Sequence, residues 1–201
     1  MIELFNEDCM DIMARYPDNH FELAIVDPPY GIGINKSHRL SVSRGFAGET
    51  WDNNPASKES IETILKISKN QVIWGGNYFN LPPTRCFLVW DKKNDGRDFA
   101  DCELAWTSYN GVARMFHKRP MGMDGGKVHP TQKPVYLFSW ILGMFDSNTV
   151  LDPYLGSGTT GVAAELLNRR WIGIEISEKY CEISAKRIES EASQLKLWGA
   201  T

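Results

Sequence analysis

Residues 149–176 read TVLDPYLGSGTTGVAAELLNRRWIGIEI. The apolar opening, 149–151, predicts a short strand. The glycine-rich DPYLGSGTT cannot continue it, and 161–168 has the spacing of a helix. A second strand is predicted over 171–176 and carries Glu175, 17 residues after Gly158. Strand, glycine-rich turn, helix and acid-tipped strand is the architecture of a nucleotide-type site. Glycine lets the backbone approach a ligand, the helix N-terminus offers free N–H groups, and the acid can accept both ribose hydroxyls. The turn is GxG rather than GxGxxG, and no GK[ST] follows, which weakens a dinucleotide or ATP reading. An isolated GxG is more readily a plain tight turn; the acid, and a second motif upstream, shift the balance toward a cofactor site.

Upstream, the apolar run 23–26 (LAIV) predicts a buried strand that stops at Asp27-Pro28-Pro29-Tyr30. Residues 57–68 have helical spacing. Residues 71–74 and 86–90 predict strands, and 103–109 and 111–116 predict two more, joined as a hairpin through Asn110-Gly111. Pro134 opens an apolar helix to about residue 145, and 178–193 predicts an amphipathic one. Long polar stretches at about 31–56 and 121–133 read as loops of the kind that carry function. Strands alternating with helices predict an α/β fold with a mainly parallel, twisted sheet.

The composition is that of one globular domain: 201 residues, 42% hydrophobic and 23% charged. A net charge of -3 argues against a histone-like, purely electrostatic nucleic-acid binder, yet leaves room for a local basic face. No apolar run approaches the about 20 residues that span a bilayer, so no membrane association is expected. The opening MIELFNEDCM has acids where a secretion signal needs bases. The cysteines Cys9, Cys86, Cys102 and Cys181 form no CxxC pair, and the histidines make no metal spacing. A reduced, cytoplasmic compartment and no metal are expected.

The tetrapeptide Asp27-Pro28-Pro29-Tyr30 falls where ligand sites of open α/β sheets lie, at the carboxyl end of a strand. Two prolines stiffen the turn and lack N–H groups, which predicts outward, unpaired carbonyls. A carboxylate and a carbonyl suit an exocyclic amine, each accepting one of its N–H groups. Such an amine is a poor nucleophile, because its lone pair is delocalised into the ring. Two directed acceptors favour a pyramidal nitrogen and aim the lone pair at an electrophile. Tyr30 offers a face on which an extruded base can stack. DPP alone would read as a strand followed by a proline turn.

With both motifs in one chain, the sequence resembles the amino-group DNA methyltransferases that use S-adenosyl-L-methionine. DPPY resembles their catalytic motif. VLDPYLGSGTTGVAAELLNRRWIGIEI resembles their cofactor motif with its acidic partner, and residues 129–142 (HPTQKPVYLFSWIL) the segment before it. Catalytic motif first and cofactor motif last is the circularly permuted order of the beta group. The resemblance implies a single Rossmann-like methyltransferase domain over 1–201. Its parts would be a catalytic-motif half (1–109), a short target-recognition segment (110–128) and a cofactor-binding half (129–193). It implies Asp27, Pro28, Pro29 and Tyr30 as the catalytic group. Asp8 and Cys9 would lie near the cofactor's adenine, and Thr131, Lys133 and Pro134 near its methionine end. Asp152, Tyr154, Gly156, Ser157, Gly158 and Thr159 would wrap it, and Glu175 would hold the ribose. Tyr154 stands where the family usually has Phe.

The implied reaction is methylation of adenine N6 in a flipped base of double-stranded DNA, in a bacterial or phage-infected cell. Asp27 leans toward adenine, because the cytosine-N4 group more often has Ser at that position. Cytosine N4, RNA as substrate and a non-catalytic cofactor- or DNA-binding subunit are the alternatives. A homodimer is a further implication of the family. Two locally basic stretches are candidate DNA contacts: Lys36, Arg39 and Arg44 in the first, Arg114, Lys118 and Arg119 in the second.

Overall fold

β2 (Phe21–Val26) is buried at every position but Glu22, and its side chains divide between two cores. Leu23 and Ile25 join one, while Phe21, Ala24 and Val26 join the other. A strand covered on both faces must be apolar throughout, which is why this run shows no polar alternation. The computed structural model describes residues 2–33, 52–94, 100–119 and 132–198, with side chains to residue 191.

β1 (Ile2–Phe5) and α1 (Cys9–Met13) precede β2. After it come α2 (Lys58–Ile67), β3 (Ser68–Trp74), a 3-10 turn (Gly76–Tyr78), β4 (Phe87–Asp91), β5 (Cys102–Thr107) and β6 (Arg114–His117). α3 (Val135–Met144), β7 (Thr149–Asp152), α4 (Thr159–Leu166), β8 (Arg170–Ile174) and α5 (Glu178–Trp198) complete the described chain. α2 starts where the Ser57 hydroxyl accepts the Ser60 N–H at 3.0 Å, and it buries Ile61, Ile64 and Ile67. α3 is apolar nearly all round because it fills the core on the other face of the sheet, with Leu137, Ile141 and Leu142 fully buried. Among the described residues, no helix is long and apolar enough to cross a membrane.

The described strands form one sheet in the order β1-β8-β7-β2-β3-β5-β4-β6. β5 runs antiparallel to both neighbours and the other pairs are parallel. Strand β2, which ends at the DPPY turn, lies beside β7, which ends at the glycine-rich turn, although about 125 residues separate them. Seven strands therefore end at one edge of the sheet, and β5 alone begins there.

The hairpin expected at Asn110-Gly111 does not form. β4 lies between β5 and β6, and β6 pairs with β4 in parallel, Val89 opposite Met115. The dipeptide does reverse the chain, but the reversal passes across the start of β4, where a Cβ on Gly111 would meet Cys86 Sγ at 3.2 Å. Phe116 then stacks toward Tyr136 and Trp140 of α3, and Trp90 Nε1 donates to the Lys118 carbonyl at 2.8 Å. Packing on α3 decides the pairing that the turn left open.

Candidate active site at the carboxyl edge of the sheet

A cavity of about 690 Å³ opens where β1, β8, β7 and β2 end, a size ordinary for a small-molecule site. Of the residues expected near the cofactor, Asp8, Cys9, Lys133, Asp152, Tyr154, Gly156, Ser157, Thr159 and Glu175 line it, together with Asp27 and Pro29. Pro134 and Gly158 do not line it. Pro134 precedes the first turn of α3. Gly158 has φ +83°, and a Cβ there would come within 2.9 Å of the Ser184 Cβ on α5. Close approach to a helix, rather than to a ligand, thus requires glycine at 158. Gly156 is needed for its φ of +56°, since a Cβ would find only open space as far as the Tyr154 carbonyl at 4.0 Å.

The acids of this region build the turn they face. Glu175 accepts the Gly156 N–H at 2.9 Å on one oxygen and the Ser177 N–H at 2.8 Å on the other. Burial raises its pKa, and each oxygen keeps a further lone pair. Asp152 accepts the Tyr154 N–H at 3.0 Å and the Thr160 hydroxyl. Burial pushes its carboxyl up to about 7, against the pull of those donors and with help from the nearby charges of Asp27 and Glu175. Asp8 caps α1 by accepting the Met10 N–H at 2.8 Å. Burial raises the Cys9 thiol and the Tyr154 phenol, and the phenol lies 2.6 Å from the Ser60 hydroxyl.

At the other end of the cavity, Asp27 follows β2 with both oxygens engaged. Oδ1 accepts from the Tyr30 hydroxyl at 2.6 Å, and Oδ2 lies 2.5 Å from the Lys133 Nζ. Lys133 is only 5% exposed and also lies 3.2 Å from Glu103 Oε2. Glu103 in turn pairs with Lys92. Burial opposes the Lys133 ammonium, but Asp27 and Glu103 outweigh it and hold its pKa above the ordinary lysine value. Burial opposes the Glu103 carboxylate as well, yet Lys133 and Lys92 bring it down to about 2.

The proline turn is held by a residue that sequence reasoning missed. Asp52 is buried, and its Oδ1 accepts the N–H groups of Tyr30 and Gly31 at 2.8 and 2.9 Å. Only a carboxylate inside a long polar stretch marks it in the sequence. The Pro29 carbonyl is not unpaired as expected, because it accepts the Ala56 N–H at 2.9 Å. The Tyr30 ring stacks on half-exposed Tyr78, with centroids 5.1 Å apart and planes 16° apart. Gly75 abuts the same ring at φ +62°, where a Cβ would fall 2.4 Å from it. Arg187 of α5 was also missed: its NH1 donates to the Ser157 carbonyl at 2.9 Å and to the Ser157 and Thr159 hydroxyls at 3.3 and 3.0 Å. These hydroxyls therefore brace the turn from behind.

The basic candidates are dispersed. Arg114 begins β6, at the sheet edge away from Asp27, whereas Lys118 and Arg119 follow its carboxyl end. The Lys118 ammonium lies 3.3 Å from the centroid of the Tyr136 ring. Lys36, Arg39, Arg44 and Thr131 lie outside the described residues. Among the described residues, no group of three or more His, Cys, Asp or Glu side chains can hold a metal ion.

A mainly parallel sheet with a glycine-turn cavity at its carboxyl edge, and an acid–proline turn opening into it, defines an α/β enzyme built around a nucleotide-type cofactor. Residues 50–186 match the DNA methylase family of N6/N4 methyltransferases, and the chain belongs to that family, whose methyl donor is S-adenosylmethionine. It is 27% identical to the Type II methyltransferase M2.MboI of Moraxella bovis over 248 aligned positions, covering 96% of this chain and 89% of that one. It is 36% identical to the Type II methyltransferase M2.DpnII of Streptococcus pneumoniae over 152 positions, 71% of this chain and half of that relative. Among solved structures, the M1.HpyAVI–SAM complex superposes with a TM-score of 0.63 at 23% identity, covering 94% of this chain and 99% of the other. The cytosine-N4-specific PvuII DNA methyltransferase superposes with a TM-score of 0.61 at 16% identity, covering 96% and 92%.

Proposed function

We propose that the chain transfers a methyl group from S-adenosylmethionine to the N6 amino group of adenine in DNA. The observation that carries this reading is the position of Asp27. It lines the cofactor cavity, and its two oxygens are fixed by Tyr30 and Lys133. A carboxylate so held is a rigid acceptor at the mouth of a small-molecule site, as gripping an amine requires.

The cavity suits the donor. Open space lies above Gly156, and Asp8 and Glu175 supply acceptors for amine and hydroxyl groups. Glu175 is assigned to the ribose, Asp8 and Cys9 to the adenine end, and Tyr154 to the wall. Lys133 and Thr131 are assigned to the methionine end; Pro134, Gly158, Asp152, Ser157 and Thr159 shape the turn around it. When bound, S-adenosylmethionine supplies an electrophilic methyl group on a sulfonium centre. Asp27 and the Pro28 carbonyl each accept one N–H of the target amine, which directs its lone pair into the cavity. Pro29 stiffens the turn that sets their spacing. The target base stacks on Tyr30 by displacing Tyr78 or by using the opposite face of the ring. Lys118 and Arg119, on the same edge, are assigned to phosphates. The relatives' bacterial sources support action on DNA in the bacterial cytoplasm.

Methylation of cytosine N4 is the second reading, favoured by the fold shared with the cytosine-N4-specific PvuII enzyme. Asp at the first motif position supports adenine. The test is incubation with methyl-labelled S-adenosylmethionine and unmethylated DNA, followed by nucleoside digestion and mass analysis. Label in N6-methyladenine is expected. Label in N4-methylcytosine would retain the site and overturn the base assignment; label in neither would reject the reading.

A further inference from the structure

We propose that Glu103 is a positioning residue for methyl transfer: from the one antiparallel strand, it holds Lys133 against Asp27 and so fixes the acceptor that grips the target amine. The inference rests on the methyl-transfer reading above.

The sheet explains why a residue so far from both motifs reaches the site. Parallel strands deliver their last residues to the active edge, whereas β5 delivers its first. Glu103 is the second residue of β5 and sits opposite Trp90, near the end of β4. It is on the face covered by α3, and Lys133 arrives on that face two residues before α3 begins. The result is an alternating chain of charge: Asp27, Lys133, Glu103, Lys92.

A buried ammonium persists only if paired. The groups facing Lys133 are Asp27 and the Tyr30 hydroxyl after β2, Glu103 from β5 and the Trp74 ring from β3. Lys92 approaches from the end of β4 through Glu103, and Asp152 at the end of β7 feels the charge of Asp27. Two carboxylates thus share Lys133 while a second cation stands behind one of them. Replacing Glu103 by the neutral Gln leaves Lys133 with Asp27 alone and with Lys92 no longer screened from it. The ammonium then loses its proton at lower pH, and one of the two contacts that orient Asp27 weakens. Glu103 touches neither cofactor nor base in this account; it acts through Lys133.

The test uses the full chain and a readout that does not need turnover. With lysines labelled at Cε, the Lys133 signal, assigned by its loss in Lys133→Met, is titrated by NMR. Its midpoint is expected to fall by at least about one pH unit in Glu103→Gln. In steady state, kcat of that variant is expected to drop by about tenfold or more, and to decline further toward alkaline pH where the wild type does not. Adding Glu103→Gln to Lys133→Met should cost nothing further in kcat. Should the Gln variant not fold, Glu103→Asp, which keeps the charge but shortens its reach to Lys133, carries the test: a smaller fall of the Lys133 midpoint with a matching loss of kcat is expected, and a loss of kcat at an unmoved midpoint overturns the inference. An unmoved Lys133 midpoint, or full additivity in the cycle, overturns the inference. If the wild type methylates no DNA, the functional reading fails on its own, and the NMR titration still decides whether Glu103 holds Lys133.

Discussion

The two ends of the cavity are built differently. The acids of the cofactor end bond locally. Glu175 binds Gly156 and Ser177, and Asp152 binds Tyr154 and Thr160, all within one β7–α4–β8 unit. The end around Asp27, proposed to grip the target amine, is assembled across the sheet. Asp27 meets Lys133 over 106 positions of sequence, Lys133 meets Glu103 over 30, and Asp52 reaches back 22 to Tyr30. A local cradle keeps its shape when a distant contact is lost, whereas a grip made of long-range ion pairs does not. Damage at the grip should therefore silence transfer and spare cofactor binding.

Asp27→Ala gives the largest expected effect. Transfer should fall by at least about 100-fold, measured with labelled donor, while donor affinity measured by calorimetry stays within about threefold. Glu103 still pairs with Lys133 in this variant, so the fold is retained. Equal losses of affinity and turnover would break the separation of the two ends. Asp52→Ala comes next. Two N–H groups of the proline turn lose their acceptor, and denaturant unfolding should register a loss of about 2–4 kcal/mol, with lower turnover because Tyr30 is freed.

Within the cradle, the two glycines sharpen the comparison. Gly158→Ala meets both a positive φ and Ser184, and should destabilise by about 2–4 kcal/mol. Gly156→Ala meets only the positive φ and should lose about 1 kcal/mol in the same unfolding assay, with its larger effect on donor affinity. The smallest effect is a pH slope. The Asp152 carboxyl is raised in the folded state to about 7. Its contribution to stability is thus fully present below the ordinary carboxylate range and is lost as pH rises through about 7. Asp152→Asn should flatten the fall in Tm between about pH 4 and 7.

The same contrast explains how far the amino-acid sequence could be read. The β2 run and its DPPY stop, and the strand–turn–helix–strand around Gly156 with Glu175, were legible because each is a continuous segment whose pattern carries its own geometry. The Asn110-Gly111 turn shows the limit. A turn dipeptide encodes a reversal, but which strand lies beside which depends on Phe116 and Trp90 packing near α3. Glu103, Asp52 and Arg187 escaped notice for the same reason. Each looks like an ordinary charge on a polar segment, and only the folded sheet buries it against a partner far away. Gly158 is expected from the sequence to lie against a ligand, but it faces Ser184 of a helix that its own motif does not include.

A structure of the protein with S-adenosylhomocysteine tests the division of the cavity most directly. The ribose hydroxyls should lie on Glu175 and the sulfur should be directed toward Asp27, with the Asp27–Lys133–Glu103 chain intact. A ligand seated with its ribose away from Glu175, or with its sulfur turned from Asp27, would contradict that division.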